Sequence, residues 1–203
     1  MKTPAMLVIT LSASLISAMA DPASKAAAHP KKPAAAPKYR SESPLPKGWP
    51  EPGPYDQVVR KKYPAYRAAF TPSSSPNGGF RTLFKHIQGN QIPMTAPVEM
   101  KLDPAEKNTV EMEEMAFLYQ TPAVGKTGAD GEHVEVRDVP AREALSYAWQ
   151  GARTKAATAR AREALDAELA KQKLTASGYR LLAYNNPFQL PSRQTHELQA
   201  LIR

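Results

Sequence analysis

Cysteine is absent from all 203 residues. That removes disulfides, thiolate metal sites, Cys nucleophiles, lipid attachment to a cysteine and covalent cofactor attachment through Cys-x-x-Cys-His. Histidine is scarce, with four copies and neither an i, i+4 pair nor a His-x-His spacing, so a zinc site is not indicated. There is no Gly-x-Ser-x-Gly elbow and no His-Glu-x-x-His helix. Gly125-Lys126-Thr127 resembles the tail of a phosphate loop but lacks its upstream glycine. Glu111, Glu113 and Glu114 form an acidic cluster, which strand alternation would divide between two faces and leave solvated. The residues therefore point to no catalytic group. Acidic residues are the minority, 19 against 27 Lys and Arg, for a net charge of +8. Six of those cations lie between Asp21 and Pro54, against three acids. No basic run is interleaved with aromatics that could stack bases, so no nucleic-acid partner is expected. The mildly basic remainder suits an anionic small ligand.

Long apolar runs are missing too. The best, Ala5 to Ala18, is broken by Thr10, Ser12, Ser14 and Ser17 and falls short of the ~20 residues that span a bilayer. With Lys2 before it and Ala18-Met19-Ala20 after it, residues 1–20 read as a secretory signal peptide, the alternative being an uncleaved anchor. The expected location is secreted or periplasmic, with no transmembrane span after cleavage. What the chain has in excess is proline, 20 copies, crowded with Ala and Lys into residues 21–54. Such a segment buries too little apolar surface to order itself and reads as a linker, with His29 and Trp49 in a solvated tail.

The body spans 55–203. Tyr55 to Phe70 reads as strand with a break at Tyr63-Pro64. Phe80, Leu83, Phe84 and Ile87 follow at helical spacing after Asn77-Gly78-Gly79. Ile92 to Leu102 and Val110 to Gln120 read as an antiparallel pair around Asp103-Pro104, and Val124 to Gly131 as a polar loop. His133 to Val139 and Glu143 to Gln150 are strand-like around Pro140. Thr154 to Lys173 is a long helix that Gly178 ends, and Tyr179 to Tyr184 and His196 to Ile202 are the last strands. Val59 to Arg67 is similar to Val136 to Arg142, and each is followed by strand, helix, strand, strand. Either this is an internal duplication or two unrelated strand pairs share a turn. A duplicated strand-helix-strand-strand unit would share one curved antiparallel sheet or barrel with two outer helices, an α+β fold.

Phe80 to Val98 (FRTLFKHIQGNQIPMTAPV) resembles the helix-plus-strand signature of the SOUL/haem-binding family, with Met94-Thr95-Ala96-Pro97-Val98 its most specific piece. Val59-Arg60, Met115-Ala116-Phe117, Val136-Arg137, Trp149-Gln150-Gly151 and Ala183-Tyr184-Asn185-Asn186-Pro187-Phe188 match in order. The resemblance implies a distorted antiparallel β-barrel with two helices. It also implies non-covalent binding of haem or a related porphyrin, without need of a strong axial ligand, in a shallow groove between the first helix and the last two strands. The fold is similar to bacterial effector-binding domains that hold cationic drugs, so fold alone does not fix the ligand. One departure stands out. Where the family has paired arginines before the final strand, this chain has Arg193-Gln194-Thr195-His196-Glu197, which puts a propionate-holding role there in doubt.

The expected function is binding, buffering or transfer of a tetrapyrrole. The alternative is an effector-binding or hydrolase domain for a small hydrophobic or cationic molecule, which a carboxylate at Glu197 facing the groove would favour. Tyr184 and Phe188 offer the flat apolar area a porphyrin face needs. Phe80, Phe84 and Ile87 belong either to the core or to the groove margin. Lys85 could pair with a propionate. His86, at the edge of the helix stripe, and His196, opening the last strand, are the candidate iron ligands, against the reading of His86 as an exposed helix residue. Met94, Met100, Met112 and Met115 read as core fillers.

Overall fold

The computed structural model describes residues 39–40, 42–75, 78–102 and 112–202. The signal segment, His29, Asn77, Glu111 and the Asp103-Pro104 turn lie outside the described residues. The described strands are β1 (Val58–Tyr63), β2 (Tyr66–Pro72), β3 (Val98–Leu102), β4 (Met112–Leu118), β5 (Gly128–Asp130), β6 (Val134–Val139), β7 (Arg142–Gln150), β8 (Ala176–Ala183) and β9 (Thr195–Ile202). Helix α1 (Gly79–Gly89) lies between β2 and β3, and α2 (Lys155–Gln172) between β7 and β8.

The strands form one antiparallel α+β sheet in the order β1-β7-β9-β8-β3-β4-β2-β6-β5. With β5 set aside, exchanging β1, β2, β3 and β4 for β6, β7, β8 and β9 reproduces the same order read backwards. That is the signature of two equivalent halves about a pseudo-twofold axis between β3 and β8. Each half begins with two strands joined by a Pro-Ala corner, Pro64-Ala65 and Pro140-Ala141. Proline offers no N–H to a ladder, and at each corner the chain changes partners. β1 pairs with β7 of the other half (Tyr63 opposite Arg142), and β2 with β6 (Tyr66 opposite Val139). Among the described residues no pairing joins β1 to β5, so the ladder has two ends.

Period-2 alternation sends side chains to two faces. Both helices cover one of them. Under α1 lie Ala69, Phe117, Tyr119, Val134 and Val136, met by Leu83 and Ile87. Under α2 lie Leu145, Trp149, Leu181 and Leu198, met by Ala161, Leu165 and Leu169. Helix α1 starts at Gly78-Gly79 for two reasons. Gly78 has φ +75, and a Cβ on Gly79 would come within 3.3 Å of Met115 and Thr71. Helix α2 is capped by Thr154, whose side chain accepts from the Ala157 N–H. It ends at Lys173 in the left-handed region, φ 54, five residues before the Gly178 expected to stop it.

On the other face the linker expectation needs correction for its described part. Trp49 is 5% exposed and packs with Tyr63, Tyr66 and Tyr184, with Leu45 and Tyr39 against the same cluster. The Lys47 N–H donates to the Gln120 carbonyl at 2.8 Å and the Ala96 N–H to the Pro44 carbonyl at 3.0 Å. Residues 42–54 are thus a strap laid across the sheet. Beneath it Arg180, 1% exposed, stacks 4.9 Å from the Tyr63 ring and 5.4 Å from the Trp49 ring. Its Nη1 donates to Glu99 Oε2 at 3.0 Å. No helix among the described residues is long and apolar enough to cross a membrane.

Candidate functional site

Helix α1 packs on β2, β4 and β6, and α2 on β7, β9 and β1. Between the two helices, toward the Val98–Ala183 end of the seam where β3 meets β8, the helical face opens into a groove of about 730 Å³. This lies within the ~300–1,000 Å³ usual for small-molecule sites. Its floor is Val98 and Met100 of β3, Met115 of β4 and Ala183 of β8. Phe80 and Phe84 of α1 form one wall, and the 185–188 turn with His196 of β9 forms the other. Alternation makes this floor apolar: on β3 the groove takes Val98 and Met100, while Glu99 points to the strap face.

The helix stripe divides along its length. Leu83 and Ile87 are buried in the α1 core, at 0% and 4% exposure, whereas Phe80 and Phe84 are each 39% exposed. Their rings lie nearly parallel, 12° apart with centroids 6.2 Å apart, and Phe80 is braced edge-on by Phe117 at 5.0 Å. Phe188 is 93% exposed at the rim. Tyr184 borders the groove but is 1% exposed, its ring packed on Tyr39 and its hydroxyl 3.4 Å from Trp49 Nε1 on the strap side. Phe80, Phe84, Phe188 and His196 therefore meet around one opening, whereas the expectation that Tyr184 offers its ring to a ligand is corrected, because that ring is buried in the strap-side cluster. Ile87 belongs to the core instead, and exposed Lys85 lies outside the lining.

The expectation that His86 borders this groove is corrected. It points toward β4 and β5, where its Nδ1 is bonded to the Asp130 carboxylate and its Nε2 lies 2.7 Å from the Tyr119 hydroxyl. Asn90 Nδ2 donates to the same Asp130 at 3.0 Å. Both ring nitrogens are committed. The hydrogen bond from His86 holds the Asp130 carboxyl below the usual carboxylate range, and burial pushes the Tyr119 phenol up to about 12.

His196 is the opposite case. It is 6% exposed, stacks obliquely on Trp149 at 5.4 Å, and neither ring nitrogen has a hydrogen-bond partner among the described residues. Burial, and then the Arg153 charge beside it, lowers its pKa to about 4, so at neutral pH it is a neutral imidazole with one free lone pair. That is an orphaned polar group of the kind a ligand completes. Arg153 itself lines the groove and was not anticipated. Its signal was faint: a basic residue two positions after a glycine, just ahead of a helix.

Glu197, next to His196, faces the strap side by alternation. It is fully buried and accepts from Lys61 Nζ at 2.9 Å and the Tyr63 hydroxyl at 2.6 Å. The carboxylate that would have favoured a cation site in the groove is therefore elsewhere and already satisfied.

The fold recurs in solved structures. The C-terminal domain of EcmrR matches with a TM-score of 0.51 at 14% identity, covering 72% of this chain and 97% of that one. An uncharacterized conserved protein from Listeria innocua gives 0.56 at 10% identity, covering 74% and 94%. A protein described as a hydrolase from the same organism gives 0.51 at 10%, also covering 74% and 94%. At such identities the likeness concerns the fold alone. No curated protein matches the chain by sequence. A family model does, over residues 54–199, and its description is SOUL heme-binding protein.

Proposed function

Because this chain belongs to the SOUL heme-binding protein family, we propose that it binds haem or a related tetrapyrrole non-covalently in the β3–β8 groove, for buffering or transfer and without catalysing a reaction. The observation that carries the reading is the pair of parallel, half-exposed rings of Phe80 and Phe84 facing an apolar floor of Val98, Met100 and Ala183. A flat macrocycle gains most from area of that shape. Haem, when bound, would supply an iron for which the groove offers one uncommitted imidazole, His196. The apolar walls serve a metal-free porphyrin equally well. The features of residues 1–20 support export, to the periplasm or the medium, where free porphyrin would need a carrier. Barrel-like curling of the nine strands is part of the same reading, since a strongly twisted sheet of this width tends to coil.

The test is a haemin titration of the purified protein followed by its Soret band. A saturable shift at micromolar protein is the expected result. Its absence removes the proposal.

A further inference from the structure

We infer that Arg153 and His196 together receive a carboxylate of the groove's ligand, so that its acid end is directed inward to the start of α2. This rests on the reading of the groove as a tetrapyrrole site and assigns that ligand's orientation, with His196 turned to the acid group and not to a haem iron. The walls are apolar, and most polar groups around them are already used. Glu42 accepts from the Asn186 N–H at 3.1 Å and from Gln189 Nε2 at 2.5 Å. Gln194 Nε2 donates to the Gln189 carbonyl at 3.0 Å. Arg153 is different. Its Nη1 donates to the Met100 sulfur at 2.9 Å, and among the described residues no carboxylate lies within ion-pair distance of it. A thioether is a weak acceptor for a guanidinium with five donors.

Beside Arg153 stands His196, more than nine-tenths buried, with both nitrogens unpartnered. The two are close enough that the arginine charge depresses the imidazole's proton affinity. The buried imidazole lacks an acceptor among the described residues, and the solvent-exposed Arg153 guanidinium beside it is free to approach the same acidic group. One carboxylate oxygen can take the guanidinium fork and the other the imidazole N–H. Helix α2 begins two residues after Arg153 with no acidic residue in its first turn, so its positive end adds a field of the same sign. The charged side chains lining the groove with His196 are Arg153 and Glu42, and Glu42 is held by the 185–189 turn.

Protoporphyrin IX and its dimethyl ester, both metal-free, separate the possibilities when titrated by fluorescence into the wild type and R153Q, with Tm measured alongside. The ester is expected to bind the wild type about tenfold or more weakly than the acid. R153Q should bind both at the ester's level, with R153K recovering part of the preference. Equal binding of acid and ester by the wild type overturns the inference and leaves the groove reading standing. A preference that survives in R153Q also overturns it, because the carboxylate then sits elsewhere. If neither porphyrin binds, the groove reading falls and the inference with it.

Discussion

Two histidines, alike in the sequence, have opposite fates, and each supports a prediction. His86 gives both nitrogens to Asp130 and Tyr119. Replacing it with alanine strips those groups of their partner and is expected to cost about 1–3 kcal/mol in urea unfolding. Haemin affinity should remain within about twofold. His196 is held neutral by burial, its pKa near 4 against an ordinary 6.5. The unfolded chain then binds the extra proton between those values. The stability this contributes is complete above pH 6.5 and is lost as pH falls toward 4, about 3 kcal/mol in all. Urea midpoints at pH 7.5 and 4.5 check it: H196L should lose less stability on acidification than the wild type. Why one imidazole is closed and the other open was not legible from their neighbours. It depends on β5, whose three residues are all exposed and carry no apolar pattern to announce a strand. Asp130 reaches His86 from that edge.

At the scale of elements, legibility followed the side chains that carry burial. Strands β6, β7 and β9 and helix α1 were readable from period-2 and 3.6-residue patterns. Strand β3 starts at Val98 and not at Ile92, because Pro93 and Pro97 supply no ladder N–H. The strap was misread for a related reason. Pro44, Pro46, Pro50, Pro52 and Pro54 read as extended linker, yet one tryptophan among them finds three tyrosines to bury against. Large-ring burial outweighs local composition here. Trp49→Ala is expected to destabilise the protein by about 3–5 kcal/mol, seen as a lowered thermal or urea midpoint. It should also disturb Tyr184, whose hydroxyl meets the indole. Helix α1 yields the contrasting variant. Phe84→Glu changes a side chain already 39% exposed, so its midpoint should stay within about 1 kcal/mol. Its porphyrin affinity should fall at least about tenfold. A large loss of stability with binding intact would show that the ring serves the core.

The whole molecule explains why a site exists at all. Each half contributes one helix that packs across strands of both halves, and one end of the seam between β3 and β8 is left open between the two helices. The repeated plan was visible in the two Pro-Ala corners and in the element order. The exchange of partners that welds the halves was not, because pairing β1 with β7 and β2 with β6 is long-range and leaves no local trace. The family-specific run Met94 to Val98 marks one edge of the seam, with Met94, Thr95, Ala96 and Val98 all at the groove. NMR shift mapping with protoporphyrin IX tests the central claim most directly, because ring currents report the few side chains that touch a porphyrin face. Saturable shifts concentrated on Phe80, Phe84, Met94, Val98, Ala183 and His196 are the predicted result. Shifts concentrated on Trp49, Tyr63 and Tyr66, or spread without saturation, would contradict it.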